Sequence, residues 1–187
     1  MNNILWIKGN GMEIKEKIVL RRASMQDAEL LFQWKNDKAT IENSITKRGV
    51  TMEEHLKWLQ NVIDSTQRQL FILDVDGVSV GQLRLDMEVL AGMEKTGEEK
   101  EVTATEIQKN KGAVTAEISY GLGAEFRGKG LGKVLLEQAE TLAEIFAISE
   151  LTAEVLPHNI ASQKLFKSLG FVEEKKEDIY VYRKQYR

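Results

Sequence analysis

The spacing of apolar and polar positions changes period several times along the chain, and each change marks an element. Glu16–Arg21 reads as a first strand, with Ile18 and Leu20 alternating with charged neighbours. Ser24 offers a helix cap with Asp27 three residues on, and Ala28, Leu31, Phe32 and Trp34 carry that helix to Asn36-Asp37. Residues 38–50 read as a loop closed by Gly49. Thr51-Met52-Glu53-Glu54 is a capping box, and Leu56, Leu59, Val62 and Ile63 recur behind it at helical spacing. Leu70–Val75 and Val78–Leu85 are β-rich runs around Asp76-Gly77, a pair that signals a two-residue hairpin.

Residues 86–112 break the pattern: Glu, Lys, Thr and Gly dominate, with little periodicity, as in an inserted excursion. Strand character returns over Val114–Leu122. A glycine-rich stretch, Arg127–Gly132, then runs into a helix whose apolar stripe is Leu131, Val134, Leu135, Leu142, Ile145 and Phe146. Leu151–Leu156 is a short strand stopped by Pro157. Asn159 caps a helix over 160–169, Gly170 ends it, and Phe171–Val172 and Asp178–Arg183 close the chain as strands. The pattern predicts a mixed α/β sheet, partly parallel and partly antiparallel, in a single domain over 1–187 with a short extension at 1–12.

Composition narrows the functions open to such a domain. The 26 Lys and Arg against 29 Asp and Glu leave a net charge of −3, which argues against a bulk electrostatic grip on nucleic acid. No apolar run approaches the ~20 residues a bilayer needs, so no membrane span is expected and the chain reads as cytoplasmic. With no Cys, disulfides, thiolate nucleophiles and Cys-based zinc sites drop out, and the two His stand in unrelated contexts, so no metal is expected.

Chemistry concentrates in Tyr120-Gly121-Leu122-Gly123-Ala124-Glu125-Phe126-Arg127-Gly128-Lys129-Gly130-Leu131-Gly132. Glycines before a helix let backbone N–H groups converge, and the helix N-terminus adds about half a positive charge, so the stretch forms an anion site. A nucleoside-triphosphate P-loop would need Ser or Thr after Lys129, where Gly130 stands. A dinucleotide fingerprint from Gly121 would need glycine at Phe126. The pattern that fits is R-x-x-G-x-G, from Arg127 to Gly132.

Here the chain resembles the GNAT superfamily of N-acetyltransferases, from about residue 17 to 183. The resemblance rests on the Arg127–Gly132 loop with the strand before it, together with Asn159-Ile160-Ala161-Ser162 and Phe166-Lys167-Ser168-Leu169-Gly170-Phe171. It implies a central sheet of six to seven strands flanked by about four helices, with the charged insertion before the fourth strand. It implies acetyl-CoA as co-substrate: Arg127, Gly128, Lys129, Gly130, Leu131, Gly132 and Lys133 hold the pyrophosphate, Leu122 and its neighbours meet the pantetheine through backbone bonds, and Asn159, Ser162 and Phe166 line its other side. An oxyanion donor is expected on the 114–122 strand, where the family often carries a bulge.

In the family's terms Glu117 is the candidate base, with a solvated or salt-bridged strand carboxylate as its alternative. The helix after Asn159 usually carries a Tyr as acid, whereas this chain has Phe166. Tyr120 is the reserve acid, with packing as the alternative. Lacking Cys, the chain would transfer the acetyl group by direct attack of the amine on the thioester.

The acceptor side resembles the ribosomal-protein acetyltransferases and, more closely, enzymes that acetylate a 4-amino group on nucleotide-linked sugars, through Trp34-Lys35-Asn36-Asp37. Trp34, Asn36, Ser44 and His55 are its candidate substrate contacts, against core packing for Trp34 and a structural role for His55. The expected partner is a small-molecule amine, with a ribosomal-protein N-terminus as alternative and a non-catalytic acyl-CoA-binding module as the reading of another class. The insertion either covers the acceptor or mediates contacts in a homodimer.

Overall fold

The computed structural model describes residues 17–89 and 113–186. The extension at 1–12 and most of the charged insertion lie outside the described residues.

Seven strands form one sheet in the order β1-β2-β3-β4-β5-β7-β6. They are β1 Ile18–Arg22, β2 Arg68–Val75, β3 Val78–Val89, β4 Val114–Leu122, β5 Ile148–Val155, β6 Val172–Lys175 and β7 Tyr180–Gln185. Every neighbouring pair is antiparallel except β4–β5. The β2–β3 hairpin turns on Asp76 and Gly77, both at positive φ (50° and 81°), as the Asp-Gly pair predicts.

The described helices are α1 Ala28–Asn36, α2 Lys38–Glu42, α3 Met52–Ile63, α4 Leu131–Ile145 and α5 Ile160–Ser168. The resemblance implied about four. The additional one, α2, forms inside the segment read as loop, because Asp37 accepts the Thr40 N–H and so caps a turn with no apolar stripe to betray it.

Two apolar clusters sit on opposite faces of the sheet. On one, Leu31 and Trp34 of α1 and Leu59 and Val62 of α3 pack on Leu70 and Ile72 of β2. On the other, Leu135, Leu136 and Ala139 of α4 and Phe166 of α5 pack on Leu83, Leu85, Ile118, Leu151 and Tyr182. The α3 face is rotated from the expected one: His55, Leu59 and Val62 are buried, while Leu56 and Ile63 are 39% and 37% exposed. Ile145, expected in the α4 stripe, is likewise exposed, and Leu136, Ala139 and Ala143 take its place in the core.

The charged stretch begins later than 86. Asp86–Val89 continue β3 and pair with Glu117–Val114 of β4, Met87 facing the core. Asp86 and Glu88 alternate with it, a polar face of a strand that a count of charges takes for a loop.

Candidate active site

Strands β4 and β5 run side by side only at their beginnings. Their register runs from Val114↔Ile148 to Glu117↔Thr152 and stops. Beyond that point β4 continues to Leu122 paired with β3 alone, and β5 continues to Val155 paired with β7 alone. The two strands thus part at Glu117, and among the described residues the β5-facing edge of Ile118–Leu122 has no strand partner. Such an edge is free to bond an extended amide chain. The β3–β4 register is continuous, so the bulge expected on β4 is not in that ladder; a register shift occurs on the β5 side, between Val114 and Thr115.

One wall of the opening joins four of the residues singled out in the sequence. The Tyr120 hydroxyl lies 2.8 Å from Ser162 Oγ, and the Ser162 N–H donates to Asn159 Oδ1 at 3.2 Å in the α5 cap. Phe166 meets the Tyr120 ring edge-on at 6.0 Å and stacks on Tyr182 at 5.3 Å, so it is a core residue. Burial raises the Tyr120 hydroxyl above its ordinary pKa, with the Ser162 bond opposing, so the phenol keeps its proton at neutral pH.

Glu117 stands on the other face of β4, where Asp86 of β3 and Thr152 of β5 are its register partners. Desolvation, then the charges of Glu154 and Asp86, raise its carboxyl above the ordinary Glu value, against a smaller effect of Arg84. Among the described residues it has no salt bridge, and its side chain is exposed, so of the two alternatives the solvated strand carboxylate stands beside the base.

The glycine loop lies at the far end of β4. Gly128 and Gly130 have φ of +74° and +81°, and a Cβ on either would meet nothing within 4 Å. Gly130 caps α4 without a side-chain bond. Among the described residues, no acceptor is found for the N–H groups of Gly128 to Gly132; the first bond of the helix is Lys133 N–H to the Gly130 carbonyl. Free donors and open space fit a pyrophosphate. Gly132 is glycine for another reason, since a Cβ there would come within 3.2 Å of Leu165 Cδ2 on α5. The Arg127 side chain turns away from the loop, toward Asp37 Oδ2 at 2.6 Å and Thr40 Oγ1 at 3.1 Å.

The acceptor-side residues are more committed to the fold than the sequence indicates. Asn36 donates to the Phe32 and Val50 carbonyls and accepts the Val50 N–H at 2.9 Å. Buried His55 is bonded through Nε2 to the Ala28 carbonyl at 2.9 Å, between Phe32 and Trp58. Trp34 is buried against the end of β4, its Nε1 2.9 Å from where a Gly123 Cβ would stand. Ser44 Oγ, by contrast, meets the Lys35 ammonium at 3.3 Å. A cavity of about 360 Å³ lies between α2 and the β5–α5 connection, lined by Ile41, Glu42, Lys47 and His158.

The sheet thus parts beside Glu117, and glycines at positive φ with open space around them stand beyond the end of the parting strand. Residues 17–172 match the acetyltransferase (GNAT) domain, and the chain belongs to that family and uses acetyl-CoA. It is 26% identical over 163 residues to the acetyltransferase PseH of Campylobacter jejuni, covering 86% of this chain and 87% of that one. Over 59 residues it is 42% identical to the putative phosphinothricin acetyltransferase YwnH of Bacillus subtilis, a match spanning 32% of this chain and 36% of that relative. Its fold superposes on yncA, a putative acetyltransferase from Salmonella typhimurium with its cofactor acetyl-CoA, at TM-score 0.64 and 19% identity, covering 90% and 93% of the two chains.

Proposed function

We propose that the acceptor is the primary amine of a nucleotide-linked amino sugar, acetylated directly at the parting of β4 and β5. The observation that carries the reading is the position of Glu117, at the last β4–β5 pair and with a raised pKa, facing the open side of the sheet.

Acetyl-CoA supplies the activated acetyl carbonyl. The free donors of Gly128–Gly132, with Lys129 and Lys133 beside them, hold its pyrophosphate, and the unpaired edge of Ile118–Leu122 receives the pantetheine amides. Glu117 takes the proton that the acceptor ammonium must lose, and its raised pKa brings it nearer the working pH of a general base. Tyr120 replaces the helix Tyr that Phe166 displaces: its phenol stays protonated and, bonded to Ser162, gives a proton to the departing sulfur. Nitrogen gains the acetyl carbon and loses two protons, one to Glu117 and one that restores Tyr120 after its proton has gone to the sulfur, which leaves with the bonding pair. The Trp34-Lys35-Asn36-Asp37 segment supports the sugar-nucleotide reading, since Asn36 and Asp37 build the α1–α2 corner that presents Lys35.

The test is release of free CoA from acetyl-CoA with a panel of amines. Turnover is expected with a nucleoside-diphosphate-linked amino sugar. Turnover confined to a ribosomal-protein N-terminal peptide would overturn the acceptor and leave the transfer chemistry standing.

A further inference from the structure

Three cations lie on or beside the elements that cover the Glu117 face of the sheet, and the charges of two of them act on the third. Lys35 lies in the last turn of α1, Arg48 in the connection before α3, and Arg84 on β3, where its guanidinium stands 5.9 Å from the Trp58 ring centroid. Two of them are held by carboxylates: Arg84 by Asp86 at 2.8 Å and Arg48 by Glu54 at 3.2 Å. Lys35 is half-buried, and its polar partner among the described residues is the neutral Ser44 hydroxyl. Burial, then the charges of Arg84 and Arg48, pull its ammonium below the ordinary Lys value. A half-buried ammonium under the influence of two guanidinium groups, given only a hydroxyl, is poorly compensated among the described residues, and an anion would remedy that.

The cluster also stands at a useful place. Arg84 faces Ser119 across the β3–β4 ladder, and Ser119 lies two residues along β4 from Glu117 on the same face. Two strand residues span about 7 Å, leaving room for one sugar ring between an amine at Glu117 and an anion at the cluster. The cofactor loop lies beyond the end of β4, past Leu122.

We infer that Lys35, with Arg84 and Arg48, forms an anion subsite that takes a phosphate or diphosphate group carried by the acceptor. The inference rests on reading the open face beside Glu117 as the acceptor side. The same chemistry has a second source, the phosphates of CoA, and the experiment must separate the two.

The probes are inorganic pyrophosphate and uridine diphosphate, titrated calorimetrically into the full chain, free and saturated with CoA. Both are expected to bind the CoA-saturated protein, and Lys35→Gln to weaken that binding at least about tenfold, as loss of a charge-assisted contact does, while Lys35→Arg retains it. Arg48→Gln, at an exposed side chain, is expected to weaken it in the same sense and stands in should Lys35→Gln lower the melting temperature. Binding that vanishes on CoA saturation would assign the cluster to the cofactor and overturn the inference, as would unchanged affinity in Lys35→Gln. If CoA-saturated protein binds pyrophosphate through Lys35 but turns over no amino-sugar nucleotide, the subsite stands and the proposed acceptor falls. If the sugar nucleotide is acetylated with the same KM by Lys35→Gln, the acceptor stands and the subsite falls.

Discussion

Arg127 reaches across the molecule to Asp37, 90 positions earlier in the chain, at 2.6 Å. This one pair ties the glycine loop to the corner between α1 and α2, since Asp37 also caps α2 through the Thr40 N–H. The loop before α4 and the α1–α2 corner therefore share a fastening, made by the Arg127 side chain, while the pyrophosphate role expected of this loop belongs to its backbone N–H groups.

Separating the charge of Asp37 from its capping role tests this. Asp37→Ser keeps a cap oxygen and drops the ion pair. The side chains are 34% and 25% exposed, so screening limits their coupling to about 0.5–1 kcal/mol. A double-mutant cycle of Asp37→Ser with Arg127→Gln, read by denaturant unfolding and by CoA affinity, should show that coupling in both. Additive losses would mean that the pair is a surface contact without consequence.

The glycines of the loop should separate by mechanism. Gly130→Ala places a Cβ at φ +81°, costing about 1–2 kcal/mol of backbone strain, and adds it to the open space of the loop. CoA affinity should fall at least tenfold with a modest loss of stability. Gly132→Ala instead presses on Leu165 Cδ2, the end of a flexible side chain, and should cost stability slightly while leaving CoA affinity within about threefold, because the donors stay free. Equal loss of affinity in both would remove the distinction.

Burial lowers the His55 pKa, with the Ala28 carbonyl opposing. The folded state therefore binds its proton more weakly than the unfolded chain. Stability from this group is fully present above the unfolded value near 6.5 and is lost as pH falls through the lower folded value. Unfolding free energy should drop below about pH 6.5, by no more than about 1.4 kcal/mol per pH unit for one proton. His55→Gln keeps a donor for Ala28 and should flatten that part of the profile, as monitored by urea midpoints across the range.

His55 also shows where the sequence is legible and where it is not. The Asp76-Gly77 hairpin, the capping box at Thr51 and the loop before α4 depend on neighbours a few residues apart, and all three are where the pattern puts them. The phase of α3 is not a local property: a polar residue, His55, belongs to its buried face because the Ala28 carbonyl is there to meet it, so Leu56 and Ile63 are left outside. Helix α2 depends on a single aspartate cap, held by an arginine from the other end of the chain. Glu117, Tyr120 and Ser162 are singled out by the family resemblance, whereas Asn159 could be picked out as a helix cap. Arg84 could not, because Gln82-Leu83-Arg84-Leu85-Asp86 reads only as one polar strand face; its company with Lys35 and Arg48 exists only once β3 lies beside α1 and α3.

The pH profile of the reaction should carry the signature of Glu117. Desolvation and the Glu154 and Asp86 charges raise its pKa, so the acid limb of kcat/KM should lie above the range of an ordinary glutamate. Glu117→Gln should remove that limb and lower kcat by about 10²–10⁴, the usual range for a lost general base. Glu154→Gln removes a repelling negative charge without touching the proposed base; Glu117 then ionises more readily, and the limb should move to lower pH with kcat at its plateau preserved. Arg84→Gln removes the one favourable cation, and the limb should move to higher pH. Opposite shifts from the two variants, with the plateau kept in Glu154→Gln and the limb lost in Glu117→Gln, are the result expected for Glu117. A limb that ignores both would assign the titration to a group away from Glu154 and Arg84.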